Sequence, residues 1–192
     1  MDELIKSIRS DMKSILKESR YEHTLGVAYT AANLAMCYGV SMEDALIAGL
    51  LHDNAKYVSD SELIQLCEDN HMEISEIERK HVYLLHSKAG AVLAQRSYDI
   101  QKEDILNAII YHTTGRPGMS VLEKIIFIAD YIEPNRKSIP NLEKIRKEAY
   151  RNLDKTVAMI LSNTLNYLME TKGKEDIDPA TINSYEYYKQ KE

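Results

Sequence analysis

The sequence is poor in the residues that characterise several classes of protein. Its 192 residues contain no tryptophan, one phenylalanine, two cysteines, four prolines and seven glycines. So few prolines and glycines, without any low-complexity run, argue against a disordered or collagen-like chain. The two cysteines, Cys37 and Cys67, lack a short metal-binding spacing, and nothing else indicates a secreted, disulfide-stapled scaffold. Cys37 lies in an apolar helical stretch and is predicted to be a small buried residue.

Excess positive charge and long apolar runs are missing as well. Lysine and arginine number 24 against 30 aspartates and glutamates, and a net charge of -6 disfavours nucleic-acid binding through a broad basic surface. The apolar runs are too short to cross a membrane. Residues 1–4 also lack the basic start and apolar core of a signal peptide. We therefore expect a reduced, cytoplasmic protein with no nucleic-acid or membrane partner.

Helical periodicity runs through almost the whole chain, and we find no strand-like alternation. The length favours one domain. The sequence thus predicts an all-α single domain over residues 1–192, in which residues 71–80 are less regular. The predicted helices cover residues 2–17, 20–38, 41–53, 59–70, 86–98, 103–112, 121–132, 141–151 and 153–171, and a last one starts at 178–179.

A histidine–aspartate pair, His52-Asp53, ends the apolar run 45–51. A buried carboxylate is costly unless a cation or a hydrogen-bond donor meets it. Imidazole and carboxylate side by side are suitable ligands for a divalent metal, although a single such pair more often only ends a helix. Further ionisable residues lie at apolar helix positions, and together they favour a metal site. These residues are His23, His86, His112 and Asp130.

Two other histidines, His71 and His81, lie in polar or charged segments without an apolar run before them. We expect both to lie outside the site. The tyrosines near the C-terminus are expected to pack against the fold rather than to stack on a base. They are Tyr185, Tyr187 and Tyr188.

The order of these residues (histidine, histidine-aspartate, aspartate) resembles the HD-domain metal-dependent phosphohydrolase superfamily. His86 and His112 between them fit the branch that binds two metals. The flanking segments are similar to the YqeK family, bacterial HD proteins that hydrolyse diadenosine tetraphosphate symmetrically. The resemblance implies a helical HD-domain bundle with its metal-binding core over 18–136 and a C-terminal helical extension of the same domain over 141–192. The similar segments are 20–27, 49–56, 84–86, 110–115 and 128–136.

The resemblance also implies a metal-ligand set. Asp53 is the candidate bridge between two divalent ions, and a hydroxide formed from water at the metals would attack phosphorus at neutral pH. Mixed histidine and carboxylate ligands suit iron, manganese or zinc, and the resemblance implies iron. By the family pattern one metal is held by His23, His52 and Asp130, and the other by His86 and His112.

Several polar residues near these ligands are expected to contact the phosphates. Lys56 follows Asp53 by three residues, where it can neutralise charge that develops on the transferred phosphate, so we expect it to act in catalysis together with Asp53. Arg20 lies one helical turn before a ligand and shares its face. The alternative for each cation is a solvated surface residue, and for each threonine a helix-terminal turn. The expected substrate contacts are Arg20, Lys56, Thr113, Thr114 and Arg136.

The function implied by the resemblance is hydrolysis of diadenosine tetraphosphate to two ADP. Two alternatives stay open: the same metal site acting on a nucleoside mono- or triphosphate or a guanosine alarmone, and a non-catalytic nucleotide-binding regulator. The chain contains no Walker glycine loop and no glycine-serine-glycine elbow. The expected partners are the nucleotide substrate and its ADP product, and assembly into a homodimer is left open.

Overall fold

The structure is a computed structural model that describes residues 2–137 and 139–191. Within these residues it contains helices and no strand, so the prediction of an all-α fold is confirmed. Short 3₁₀ segments cover Val82–Leu85, Lys174–Asp176 and Lys189–Lys191. The α-helices are α1 (Asp2–Ile15), α2 (Glu18–Tyr38), α3 (Met42–Leu51), α4 (Asp60–Asp69), α5 (Glu76–Lys80), α6 (His86–Tyr98), α7 (Glu103–Ile110), α8 (Val121–Ile132), α9 (Leu142–Ala149), α10 (Leu153–Thr171) and α11 (Pro179–Tyr188).

Three helices form the centre of the fold, with α2 packed against both α3 and α8. Gly49 on α3 allows the closest approach, because a Cβ atom at this position would lie 2.7 Å from the Cα atom of Ala28 on α2. The residues of α8 are apolar around most of the helix, and Ile125, Ile126 and Ile128 are fully buried. A helix that is apolar on nearly all sides is expected at the centre of a bundle. This packing brings the N-terminal half of α2, the end of α3 and the end of α8 together.

At the C-terminal end of the chain, α10 packs against both α8 and α11. Tyr188 at the end of α11 is 1% exposed, and its hydroxyl oxygen accepts a hydrogen bond of 2.8 Å from the backbone N–H of Met119. Tyr185 and Tyr187 are partly buried against the same core. The predicted packing role of these tyrosines is therefore confirmed.

The structure corrects the predicted environment of Cys37 and details of the middle segment. Cys37 is exposed on the last turn of α2, because Leu34 and Ala35 take the buried face and the next two positions turn toward solvent. The irregular segment 71–80 contains the short helix α5, which begins with a capping box at Ser75. Both described cysteines are free thiols. None of the helices in the described residues combines the length and the apolar character that a membrane span requires.

Candidate metal centre

Six side chains from five places in the chain meet in one buried site. They come from the first half of α2, the turn after α3, the start of α6, the turn after α7 and the end of α8. All six are buried or nearly so, and the most exposed side chain of the set is 24% exposed. They are the residues predicted as metal ligands: His23, His52, Asp53, His86, His112 and Asp130.

Asp53 lies between two groups of imidazoles. Its Oδ1 atom is 3.3 Å from Nε2 of His86 and 3.6 Å from Nε2 of His112. Its Oδ2 atom is 3.4 Å from Nε2 of His52 and 2.8 Å from a guanidinium nitrogen of Arg20. One carboxylate thus turns a different oxygen toward each side of the site, which would allow it to contact two ions at once.

Asp130 closes the side of the site formed by α2 and α8. Its Oδ1 atom is 2.9 Å from Nε2 of His23 and 3.9 Å from Nε2 of His52. Two sets of three side chains have donor atoms close enough together to hold one metal ion each. These sets are His23, His52 and Asp130, and His52, Asp53 and His112.

Backbone carbonyls fix the tautomers of three histidine rings. The Nδ1 atoms of His52, His86 and His112 each lie 2.7 Å from a carbonyl oxygen of the residue three positions earlier. Because a carbonyl oxygen only accepts, each Nδ1 must donate, and the neutral ring then points the lone pair of Nε2 into the site. A metal-ligating histidine is commonly held in this way.

The four inward Nε2 atoms have one nearby hydroxyl donor between them within the described residues, that of Thr113, and this shortage of donors tests whether a cation fits. The Nε2 atoms of His23 and His52 are buried without a donor, because their neighbours are carboxylate oxygens of Asp130, at 2.9 Å, and of Asp53, at 3.4 Å. The Nε2 atoms of His86 and His112 face each other at 3.2 Å. Buried polar atoms normally have partners, and facing lone pairs repel unless a positive charge lies near them. The residues therefore fit divalent metal ions, for which imidazole and carboxylate are suitable ligands.

Burial and opposite charge set the protonation of these groups. Burial lowers the pKa of His86 to about 4, assisted by a neighbouring imidazole and ammonium group. Burial alone would raise the pKa of Asp53 and Asp130, but the surrounding imidazoles hold both well below the ordinary value. Burial opposes protonation of His52, yet the adjacent carboxylates outweigh it and raise its pKa. The carboxylates are thus ionised at neutral pH, and the site favours positive charge.

Glu133 is a site residue that the sequence analysis did not single out. It is 1% exposed, and its Oε1 atom lies 3.1 Å from Nδ1 of His23. Its Oε2 atom accepts a hydrogen bond of 2.6 Å from the backbone N–H of Asn135. Gly26 provides the space, because a Cβ atom there would lie 2.5 Å from Oε2 of Glu133. The sequence does contain a signal for this residue, because a glutamate directly after the apolar run of α8 is expected to be buried with a partner.

Asn54 is a second buried residue near the site that the sequence analysis did not single out. It is 2% exposed, and its side-chain amide donates a hydrogen bond of 3.0 Å to the carbonyl oxygen of Gly90 on α6. A Cβ atom at Gly90 would lie 2.6 Å from the Asn54 side-chain oxygen. The contact ties the turn that carries His52 and Asp53 to the helix that begins at His86.

Cationic side chains surround the mouth of the site. Arg20 contacts Asp53, and Arg136 donates hydrogen bonds of 2.7 Å to the carboxylate and 2.9 Å to the backbone carbonyl of Asp130. Lys56 Nζ lies 4.0 Å from Oδ1 of Asp53. Burial lowers the pKa of Lys56, and the two arginines add to this effect. The three cations lie beside the ionised carboxylates of Asp53 and Asp130. They would offset the repulsion between these carboxylates and the anionic groups of a ligand.

The two threonines after His112 differ in position. The Thr113 hydroxyl lies 3.2 Å from Nε2 of His112 and 3.5 Å from Nε2 of His86, so it faces the site. The Thr114 hydroxyl instead donates to the carbonyl oxygen of Gly115 at 3.1 Å. Thr113 is therefore the better placed of the two to meet a bound ligand.

The two histidines predicted to lie outside the site belong to neither of the two candidate metal-binding sets in the described residues. His71 is exposed in the turn after α4, with a φ of 54°. His81 Nε2 lies 3.0 Å from a carboxylate oxygen of Asp176. Their surroundings agree with the polar segments in which they occur.

Comparison with known proteins agrees with this geometry. The HD domain family model matches residues 20–135. A symmetrical bis(5'-nucleosyl)-tetraphosphatase of Halalkalibacterium halodurans is 41% identical over 174 residues, which cover 91% of each chain. A protein of the same name from Bacillus subtilis is 40% identical over 176 residues, or 92% of each chain. A crystal structure from Clostridium acetobutylicum, described as a predicted HD superfamily hydrolase involved in NAD metabolism, is 40% identical with a TM-score of 0.92 over 97% of each chain. With its histidines and aspartates gathered in one buried site, this chain belongs to the HD domain family.

Proposed function

We propose that this protein is a metal-dependent phosphohydrolase that splits diadenosine tetraphosphate at its central bridge into two ADP molecules. The relatives named for this reaction are similar over more than nine tenths of the chain. The observation that carries the proposal is the position of Asp53, with one oxygen toward each histidine group and two cations beside it. This arrangement suits a polyphosphate that must be held and attacked at one phosphorus atom.

We also propose which side chains would hold the metal ions. Asp53, with one oxygen toward each histidine group, would help to hold both of two divalent ions, and iron is the metal we propose, since mixed imidazole and carboxylate ligands suit it. His86 and His112, whose ring orientation is fixed by backbone carbonyls, would hold the second ion. The first ion would be held by His23, His52 and Asp130.

The reaction adds water across the bridging P–O–P bond. The water oxygen bonds to one of the two central phosphorus atoms, and the bridging oxygen leaves with the other ADP. Two bound divalent ions would supply a water of lowered pKa and positive charge for the phosphate oxygens. The remaining contribution comes from the protein side chains themselves.

Each side chain at the mouth has a separate part in this scheme. Arg20 and Arg136 are paired with Asp53 and Asp130, so they orient these carboxylates while presenting N–H groups to the substrate. Lys56 has no such short ion pair and is 30% exposed, so its ammonium group can approach the phosphate on which charge develops. Thr113 offers a hydroxyl between the two histidines of the second group.

Product analysis tests the function. The iron-loaded protein is incubated with diadenosine tetraphosphate in ¹⁸O-labelled water, and the nucleotides are separated by chromatography and weighed by mass spectrometry. We expect ADP alone, with one labelled oxygen in one of every two molecules. Equimolar AMP and ATP would show asymmetric cleavage and contradict the proposal. Rapid hydrolysis of a mononucleotide without action on the dinucleotide would favour the alternative substrates instead.

A substitution at Lys56 tests the mechanism, with a second lysine as the matched control. Lys56→Ala should lower kcat by about 10²–10³-fold, the loss found when one group that stabilises developing charge is removed. Lys80→Ala is the comparison, because Lys80 is a lysine ion-paired with Asp176. Its kcat should match that of the unchanged protein.

A further inference from the structure

A second cavity lies beside the candidate metal centre. It is a groove of about 680 Å³ between the C-terminal half of α10, the end of α8 and residues 139–141. This volume lies within the range of small-molecule sites. We call it the α10 groove, and its polar and aromatic lining includes Tyr131, Arg136, Asn163, Asn166 and Tyr167.

Arg136 connects the α10 groove to the metal centre. It lines the groove, and it also lines the cleft that contains Arg20 and His23. Its guanidinium group lies 2.7 Å from the carboxylate of Asp130. A ligand whose phosphates lie at the mouth of the site can therefore continue past Arg136 into the groove.

The groove is lined by side chains of the types that bind nucleobases in proteins. Tyr167 is 63% exposed, which leaves an aromatic face open on α10. Asn163 donates its amide N–H groups to the carbonyl oxygen of Pro140 at 2.7 Å and to the hydroxyl of Tyr131 at 3.2 Å, so its amide oxygen remains as an acceptor. Asn166 is exposed beside them. Bases stack on aromatic faces, and asparagine amides match the hydrogen-bonding edge of adenine.

We propose that the α10 groove binds the adenosine of one ADP half of the substrate, with Tyr167 as the stacking surface and Asn166 as a hydrogen-bonding side chain. This inference rests on the proposed function, because it assigns a place to part of the proposed substrate. It gives α10, which carries none of the candidate metal ligands, a role in selecting a nucleotide over a simple polyphosphate.

Two other cavities compare less well as base sites. One is lined by three carboxylates, from Glu73, Glu78 and Asp178, which would repel a polyphosphate chain, whereas the α10 groove has one, from Glu170. Its lysine, Lys88, is already bonded to Glu78 and to the Glu73 carbonyl. The other cavity is lined by three cations, one tyrosine, one serine and two apolar residues. Its cations suit phosphates, but it has no amide side chain to read a base, whereas the α10 groove has two or more. Its lining residues are Ile15, Leu16, Lys17, Ser19, Arg20, Lys56 and Tyr57.

Binding measurements test the groove directly. The affinities of the metal-loaded protein for ADP and for inorganic pyrophosphate are measured by calorimetry, and their ratio reports the contribution of the nucleoside. We expect this ratio to fall about tenfold or more in Tyr167→Ala, the loss typical of removing a stacking partner. Asn166→Ala should lower it in the same direction. Both side chains are exposed, and circular dichroism checks that each variant is folded.

Tyr29→Ala is the matched control, because Tyr29 is a tyrosine 50% exposed on α2 and is not among the groove residues. Its ratio should equal that of the unchanged protein. An unchanged ratio in both Tyr167→Ala and Asn166→Ala would overturn the groove assignment. Failure of the proposed function looks different: the unchanged protein would leave diadenosine tetraphosphate intact, while the ratio for ADP still fell in the groove variants.

Discussion

The Nε2 atoms of His86 and His112 lie 3.2 Å apart, and each ring donates its Nδ1–H to a backbone carbonyl oxygen. Both inward nitrogen atoms therefore present lone pairs to each other in a buried space. Asp53 adds a carboxylate oxygen 3.3 Å from the first of them. Without a positive charge between them, the two lone pairs and the carboxylate repel one another. The folded protein should therefore bind a cation at this position.

Metal removal should therefore destabilise the protein. A ligand present at about 100 times its dissociation constant stabilises the folded state by about 2.7 kcal/mol. For a chain of this length such a change shifts Tm by roughly 5–10 °C. We expect a chelator to lower Tm by this amount and added iron or manganese to restore it, as measured by scanning calorimetry. The same Tm with and without chelator would contradict the metal assignment.

Loss of Asp53 should remove both metal ions, whereas loss of His86 should spare the first more than the second. The reason is that Asp53 turns one oxygen toward His52 and the other toward His86, whereas His86 itself belongs only to the residues proposed to hold the second ion. Metal analysis of Asp53→Ala and His86→Ala measures the difference. His81→Ala serves as the control, since His81 is bonded to Asp176 instead. If Asp53→Ala kept its full metal content, the bridging role would be wrong.

Sequence patterns predicted much of this site because its candidate metal ligands lie directly beside apolar helical segments. The apolar run before His52 predicts burial, and burial of a histidine and an aspartate together predicts a compensating charge. The contact between Glu133 and His23 was not predicted, because it joins residues 110 positions apart through the packing of α2 on α8. The exposure of Cys37 was missed for a related reason: composition does not tell which face of an alanine-rich helix is buried.

Loss of a core side chain should cost more stability than loss of a site histidine. Leu50 is 1% exposed inside the main hydrophobic core, and Leu50→Ala should cost about 2–5 kcal/mol through the cavity it leaves. His86→Ala should cost less in metal-free protein, because it also removes the repulsion with His112. Urea unfolding in the presence of a chelator compares the two variants. A larger loss for His86→Ala would contradict this account of the site.

Cys67 should make stability depend on pH in the alkaline range. Burial raises the pKa of the Cys67 thiol to about 11 in the folded protein, whereas an unfolded cysteine titrates near 8.5. The unfolded chain therefore loses this proton first, so stability is intact below about pH 8.5 and falls as the pH rises toward 11. The difference should reach about 1–2 kcal/mol by pH 10.

Urea midpoints at pH 8 and pH 10 measure this effect. Tyrosines with raised pKa values contribute in the same range, so the comparison is made with Cys67→Ala, in which the thiol is absent. The loss of unfolding free energy between pH 8 and pH 10 should be smaller in Cys67→Ala by about 1–2 kcal/mol. Cys37→Ala, which removes an exposed thiol, should behave as the unchanged protein. Equal falls in the unchanged protein and in Cys67→Ala would show that the buried thiol does not contribute.

Glu133→Gln should weaken metal binding by about 10–100-fold, the cost typical of removing a carboxylate that orients a ligating histidine. Glu133 accepts from Asn135 N–H through one oxygen and lies 3.1 Å from Nδ1 of His23 through the other. A glutamine has one oxygen, which the backbone N–H of Asn135 requires, so its NH₂ group turns to His23. Nδ1 must then accept, the ring proton moves to Nε2, and the nitrogen that faces Asp130 can no longer bind a metal.

Metal affinity, measured by competition with a fluorescent chelator, checks this expectation without relying on activity. Glu143→Gln is the matched control, because the side chain of Glu143 is 80% exposed. Gly26→Ala should act in the same direction as Glu133→Gln, because its added Cβ atom would lie 2.5 Å from Oε2 of Glu133 and push the carboxylate away from His23. If Glu133→Gln bound metal as tightly as Glu143→Gln, the orienting role of Glu133 would have to be abandoned.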